Sequence, residues 1–228
     1  MPPCHIGRTL SALIFAAALL FSSADASAQE SPAIQLTRLK QAVVIVTTFD
    51  GHGKPLLQGT GFFIERGQIA TNFHVVRNAK QIRVETFDGA VSTVKAILAT
   101  DEKSDLALMS VDAPFARSTI LPLTTSAPSE GESIRVISNP QGSSWKVTHG
   151  ATGLLWEFHG LGERLQITAA IAPGSSGGPV INSSGQVVGI AAMYFNSVSN
   201  LNFAVPVARL HALQAKAHLQ ARLMEAGR

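Results

Sequence analysis

The chain has 228 residues, enough for one large domain or two small ones. Hydrophobic residues make up 46% of it and charged residues 14%, which excludes intrinsic disorder, because a disordered chain needs low hydrophobicity and a high charge fraction. Lys and Arg number 18 against 15 Asp and Glu, a formal charge of +3, but the cations are scattered singly (Lys40, Lys54, Arg83, Lys95, Arg135), which argues against the clustered basic stripe of a nucleic-acid binder.

Residues 1–28 have the form of a secretory leader. Arg8 ends a positive n-region, 10–21 is an apolar run, and Ala26, Ser27 and Ala28 offer a small-residue cleavage site. This twelve-residue run covers only about 18 Å of helix against a hydrocarbon core of ~30 Å, so the segment is too short to span a membrane. Its removal takes the single cysteine, Cys4, with it, and the mature chain from Gln29 is then expected to hold no disulfide in a compartment that would allow one. No apolar-small-Cys sequence closes the run, so no lipid anchor is expected. The expected location is periplasmic or secreted.

From 41 to 203, short β-branched and apolar runs alternate with turn residues, the pattern of sandwiches and barrels. The predicted strands are 43–49, 56–65, 68–71, 81–86, 91–99, 106–111, 133–138, 146–156, 164–168, 179–181, 187–194 and 201–205. The stretch 112–131 contains Pro114, Pro122 and Pro128 and reads as a linker between two β-halves, since proline cannot supply a ladder donor. After Pro206, the residues Ala208, Leu210, Leu213, Ala217, Leu219, Leu223 and Met224 stand among polar residues, with steps of three and four from Leu210 to Leu213 to Ala217 and from Leu219 to Leu223, which predicts a terminal amphipathic helix docked on the β-structure. The expected organisation is a leader over 1–28, a first β-half over 29–112, a linker over 113–132, a second β-half over 133–207 and a helix over 208–228.

The most specific segment is Pro173-Gly174-Ser175-Ser176-Gly177-Gly178-Pro179, between the strands around Ile167 and Val180. A turn of such small residues lets one serine hydroxyl project while successive backbone N–H groups face inward, as a developing oxyanion requires. Alone, it would read as an ordinary Gly/Ser turn. Upstream, however, His74 stands in Thr71-Asn72-Phe73-His74-Val75-Val76, and Asp105 opens an apolar strand in Ser104-Asp105-Leu106-Ala107-Leu108-Met109. A lone histidine or aspartate at such places is usually structural, but the order His, Asp, Ser is that of the chymotrypsin-like barrels and of neither subtilisin nor the α/β-hydrolases.

These blocks, with Gly59-Thr60-Gly61-Phe62-Phe63-Ile64, Ser138-Asn139-Pro140-Gln141-Gly142, 169–182, Gly185-Gln186-Val187-Val188-Gly189-Ile190 and Asn202-Phe203-Ala204-Val205-Pro206-Val207, closely resemble the HtrA/Deg branch of trypsin-like serine proteases over residues 43–206. The resemblance implies an all-β fold of two packed antiparallel six-stranded barrels, with His74 and Asp105 from the first and Ser176 from the second. Ser176 would be the nucleophile, His74 its base, Asp105 the orienting acid, and the backbone of Gly174, Ser175 and Ser176 the oxyanion turn; no metal or cofactor is required. In the primary specificity pocket, Ala170 occupies the place where trypsin carries a carboxylate. Ile171, Ala191, Ala192 and Met193 would line it, and Asn202 would stand near its floor.

Several positions depart from the family. Ser175 stands where Asn or Asp is usual, Thr168 where Asp is common and Ala172 where Asn is common, and the loop 50–55 is short. The chain ends about twenty residues past the barrels, where relatives continue into PDZ domains, so no peptide-sensing module is expected. The expected partners are polypeptide substrates, with neither nucleic acid nor a membrane span after leader removal, and a homotrimer by resemblance. An alternative is a barrel that captures polypeptides and cleaves them poorly until a partner forms its oxyanion turn. An esterase is the weaker reading, for want of a strand-turn-helix nucleophile elbow.

Overall fold

The computed structural model describes residues 32–112, 119–140, 144–194 and 201–227; the leader, with Cys4, lies outside them. Six strands form the first barrel: β1 (Val43–Phe49), β2 (Pro55–Glu65), β3 (Gln68–Thr71), β4 (Gln81–Thr86), β5 (Val91–Asp101) and β6 (Leu106–Val111). They close in the order β1-β2-β3-β6-β5-β4. The second barrel closes as β10-β11-β12-β9-β8-β7, from β7 (Ser133–Ser138), β8 (Lys146–Phe158), β9 (Gly162–Ile167), β10 (Pro179–Asn182), β11 (Val187–Tyr194) and β12 (Asn202–Pro206). All the pairings within them are antiparallel, as the family resemblance implies.

Successive side chains of a strand point to opposite faces, and here both faces are buried. Phe63, Ala107 and Met109 fill the first barrel with Val44, Val46 and Val84. Their neighbours Phe62, Leu106 and Leu108 turn outward into a seam shared with Ile137, Ile181, Ile190 and Val205 of the second barrel. Val136, Val180, Ala191 and Ala204, adjacent in sequence to those four, fill the second barrel's interior. The two barrels therefore hold one continuous core between them.

The chain between barrels is tied to both. Leu121 N–H donates to Phe63 O at 3.0 Å, Val187 N–H to Pro122 O at 2.8 Å and Thr124 N–H to Val187 O at 3.0 Å.

Three helices complete the structure: α1 (Pro32–Gln41), α2 (Phe73–Val76) and α3 (Val207–Ala226). The sequence reading contains neither α1 nor α2. The α1 helix commits Leu39 to the seam. The predicted terminal helix is present, but only its first half docks: Val207, Leu210, Leu213 and Ala217 are buried, whereas Leu219, Leu223 and Met224 are 60%, 64% and 72% exposed. The apolar stripe outruns the surface beneath it.

Candidate active site

Asp105 has φ of 60°, the only positive value for a non-glycine among the described residues. Such a conformation costs about 1–2 kcal/mol for most side chains and least for Asn and Asp. It is held by its carbonyl, which accepts from Asn72 Nδ2 at 2.8 Å and from Phe73 N–H at 3.2 Å. The carboxylate then faces the start of α2, where Oδ1 accepts the His74 N–H at 2.8 Å and Oδ2 meets His74 Nδ1 at 2.7 Å. A carboxylate bound at Nδ1 fixes that nitrogen as the protonated one, which leaves Nε2 as the free acceptor.

Beside this pair, Arg164 is 2% exposed and donates to the Glu163 carbonyl at 2.9 Å and the Lys103 carbonyl at 3.5 Å. Burial draws its guanidinium below the ordinary value, and the charges of Asp105 and Asp101 oppose that shift. Asp101 in turn is held below the usual carboxylate range: burial raises it, but the Ser104 hydroxyl and the amides of Ser104 and Lys103 outweigh burial. His74, Asp105 and Arg164 line a cleft of about 730 Å³ with Phe73, Lys103 and Leu161.

The serine-bearing segment lies on the second barrel. Ser175 N–H donates to Ala172 O at 2.8 Å, and Gly174 has φ of 92°. Proline then glycine at the two central positions, with positive φ at the second, makes Ala172–Ser175 a type II turn. Thr60 of β2 crosses from the first barrel to grip it: Thr60 Oγ1 donates to Gly174 O at 2.7 Å and Thr60 N–H to Ser176 O at 2.8 Å. Thr60 O is itself held by Thr71 Oγ1 at 2.7 Å. Gly59 permits this approach, because a Cβ there would stand 2.8 Å from Val75 and 3.0 Å from Ser176 O. Among the hydrogen bonds of the described residues, the N–H groups of Gly174 and Ser176 have no acceptor, and none joins Ser176 Oγ to His74. Catalytic nucleophile–base contacts often tighten only when substrate is bound.

Of the residues expected at the specificity pocket, Ala191 and Ile171 pack with Ala169, Ala192 is half-buried and Ala170 is exposed. Asn202 is buried, but its Nδ2 donates to Ala169 O at 3.0 Å, so this amide braces the loop. The side chain of Met193 lies outside the described residues. No group of residues with metal-ligand spacing occurs among the described ones. Thr60, Asn72, Ser138 and Arg164 were given no site role by the sequence; only the glycines flanking Thr60 hinted at a close approach.

Two six-stranded barrels with a histidine–carboxylate pair on one and a serine-bearing turn on the other define the chymotrypsin-like class of peptidase architecture. The chain belongs to the trypsin-like peptidase domain family, which matches residues 59–190, and is of the HtrA type. It is 33% identical over 168 residues to the anti-sigma-I factor RsgI9 of Acetivibrio thermocellus, covering 74% of this chain and 24% of that one. It is 32% identical over 164 residues to a probable periplasmic serine endoprotease, DegP-like, of Brucella suis, covering 68% of this chain and 32% of that one. The crystal structure of the serine endoprotease from Yersinia pestis superposes with a TM-score of 0.71 at 28% identity, over 80% of this chain and 65% of that one. The chain thus spans a quarter to a third of these two curated relatives.

Proposed function

We propose that the protein is a serine endopeptidase that hydrolyses peptide bonds of unfolded polypeptides outside the cytoplasm. The observation that carries this reading is the His74 Nδ1–Asp105 Oδ2 contact of 2.7 Å, together with a neighbouring turn whose unpaired N–H groups are those of Gly174 and Ser176. Ser176 Oγ attacks the peptide carbonyl carbon while His74 Nε2 takes its proton. The carbonyl electron pair moves to oxygen, which the Gly174 and Ser176 amides stabilise. When the tetrahedral species collapses, the C–N bond breaks and His74 delivers the proton to the leaving amine. Water, activated by the same imidazole, then cleaves the acyl-enzyme. Asp105 holds the tautomer and orientation of His74.

The location is supported by the periplasmic naming of the DegP-like relative and by the leader-like sequence of residues 1–28. Among the described residues no helix is long and apolar enough to cross a membrane. A homotrimer is part of the same reading, carried by the HtrA resemblance.

Labelling with a fluorophosphonate, followed by peptide mapping, tests the assignment. The expected result is one adduct on Ser176, absent from Ser176→Ala, with casein cleavage lost in the same variant. A wild-type chain that neither labels nor cleaves would place the protein with non-cleaving binding modules.

A further inference from the structure

The turn that carries Ser176 is secured at several backbone groups. The Ala172 carbonyl accepts from Ser175 N–H at 2.8 Å, the Ser175 carbonyl from Gly178 N–H at 3.0 Å, and the Gly177 N–H donates to Ala191 O at 2.8 Å. Thr60 holds the Gly174 and Ser176 carbonyls. The beginning of the turn, the Ala172 N–H, is held by a side chain. It donates to Ser175 Oγ at 3.2 Å, and Ser175 Oγ lies 3.1 Å from Ser138 Oγ on β7.

Both hydroxyls are buried, Ser175 at 2% and Ser138 at 3% exposure. A hydroxyl has one hydrogen to give and two lone pairs to receive with. Ser175 Oγ receives the Ala172 hydrogen, and the arrangement that also pairs its own hydrogen donates that hydrogen to Ser138 Oγ. The relay runs from the turn's first amide, through the residue beside the nucleophile, to a strand of the barrel wall that itself pairs with β10. Removing either oxygen strands a buried polar group, which costs more than the bond contributes when made.

We infer that the buried Ser138–Ser175 hydroxyl pair holds the oxyanion-binding turn in its working form, so that Ser138 and Ser175 are positioning residues for peptide hydrolysis. The pair anchors Ala172 to the barrel wall, and through it fixes the direction of the Gly174 N–H two residues on. It carries no formal charge and draws on no group outside the barrels, so the turn stands ready before substrate arrives. This rests on the peptidase reading above.

The test compares Ser138→Ala and Ser175→Ala with the wild type on a peptide anilide bearing valine on the acyl side of the cut. It also compares the affinity of a valine peptide aldehyde, which forms an oxyanion with the nucleophile, with that of the matching alcohol, which does not. The expected outcome is a kcat lower by about tenfold for Ser138→Ala and about a hundredfold for Ser175→Ala, the order of losing part or all of one oxyanion donor. KM should stay within twofold, and the aldehyde-to-alcohol affinity ratio should fall in step with kcat. A folded variant whose ratio is unchanged overturns the inference, whether or not kcat drops. Should Ser175→Ala fail to fold, the ratio for Ser138→Ala decides alone, and if both variants fail to fold the pair is a fold element and the inference is overturned. An inactive, unlabelled wild type removes the peptidase reading itself, whereas an active wild type with unaffected variants removes only this inference.

Discussion

The Asn72 side-chain amide donates to the backbone carbonyl of Asp105 across 2.8 Å, so the residue that begins the helix of His74 also holds the carboxylate that faces His74. Asn72 is fully buried, and the bond fixes the left-handed backbone at Asp105. Asn72→Ala is expected to cost about 0.5–1.5 kcal/mol in urea unfolding, the net contribution of one hydrogen bond, because the Asp105 carbonyl keeps the Phe73 N–H. It should lower kcat while leaving KM nearly unchanged; an unaltered kcat would separate this clamp from the chemistry.

Asp105→Asn should leave the fold nearly intact, because asparagine tolerates positive φ as aspartate does. Its amide can present a donor to Nδ1, which favours the wrong imidazole tautomer. Turnover should fall by about 10⁴, the size of the effect in the template triad. Near-normal activity with an unchanged melting curve would sink the assigned role of Asp105.

Gly177 has φ of 86°, and a side chain there would be driven into the Thr60 carbonyl and the Thr71 hydroxyl. Both obstacles belong to the first barrel and neither is a flexible tip. Gly177→Ala is therefore expected to cost more than about 3 kcal/mol, combining backbone strain with overpacking. A thermal melt checks it, and a variant as stable as the wild type would show that the barrels can part locally at no cost.

Cuts should fall after Val, Ala, Ile or Leu. Ile171, Ala191 and Ala192 are apolar, Ala170 supplies no carboxylate, and the Asn202 amide is engaged with Ala169 O. An unpaired buried cation would cost several kcal/mol, while full burial of an aliphatic side chain gains roughly 1.5–3 kcal/mol. Sequencing the product ends of casein digests decides it; a map dominated by Lys and Arg would refute the pocket and leave the triad standing.

Leu210 is fully buried beneath α3, and Leu223 is 64% exposed on the same helix. Leu210→Ala should cost about 2–5 kcal/mol and Leu223→Ala less than about 0.5 kcal/mol in solution. Equal effects in paired chemical melts would mean that the far half of α3 is covered in solution.

Much of the architecture was legible because strand residues such as Phe62-Phe63 and Leu106-Ala107-Leu108-Met109 are buried on both sides, which makes β-runs conspicuous. The contact between His74 and Asp105 follows from residues singled out for another reason, since each stands in its own ordered motif, as does Ser176. The helix α1 was not legible, because among its described side chains only Leu39 is fully buried, with Leu36 partly so, and its packing comes from the seam. The strand β8 runs on through Phe158, two residues past the expected end, because Glu157 and Phe158 pair with Glu163 and Gly162 of β9 in a hairpin. Thr60 and Ser138 escaped notice because their meaning lies in partners far along the chain, and a single sequence carries no periodic trace of such a bond.

The grip of Thr60 on the Gly174 carbonyl spans 114 residues of chain. At roughly 5–20 residues per second of synthesis, Thr60 leaves the ribosome on the order of ten seconds before its partner exists. During that interval the nascent chain has its histidine and aspartate in place but no anchored turn, and even the finished turn needs the last strand, β12, to close its barrel. On the peptidase reading, a site whose parts lie so far apart in sequence is silent until β12 has been made, so an unfolded chain is not yet exposed to the activity its folded form would have.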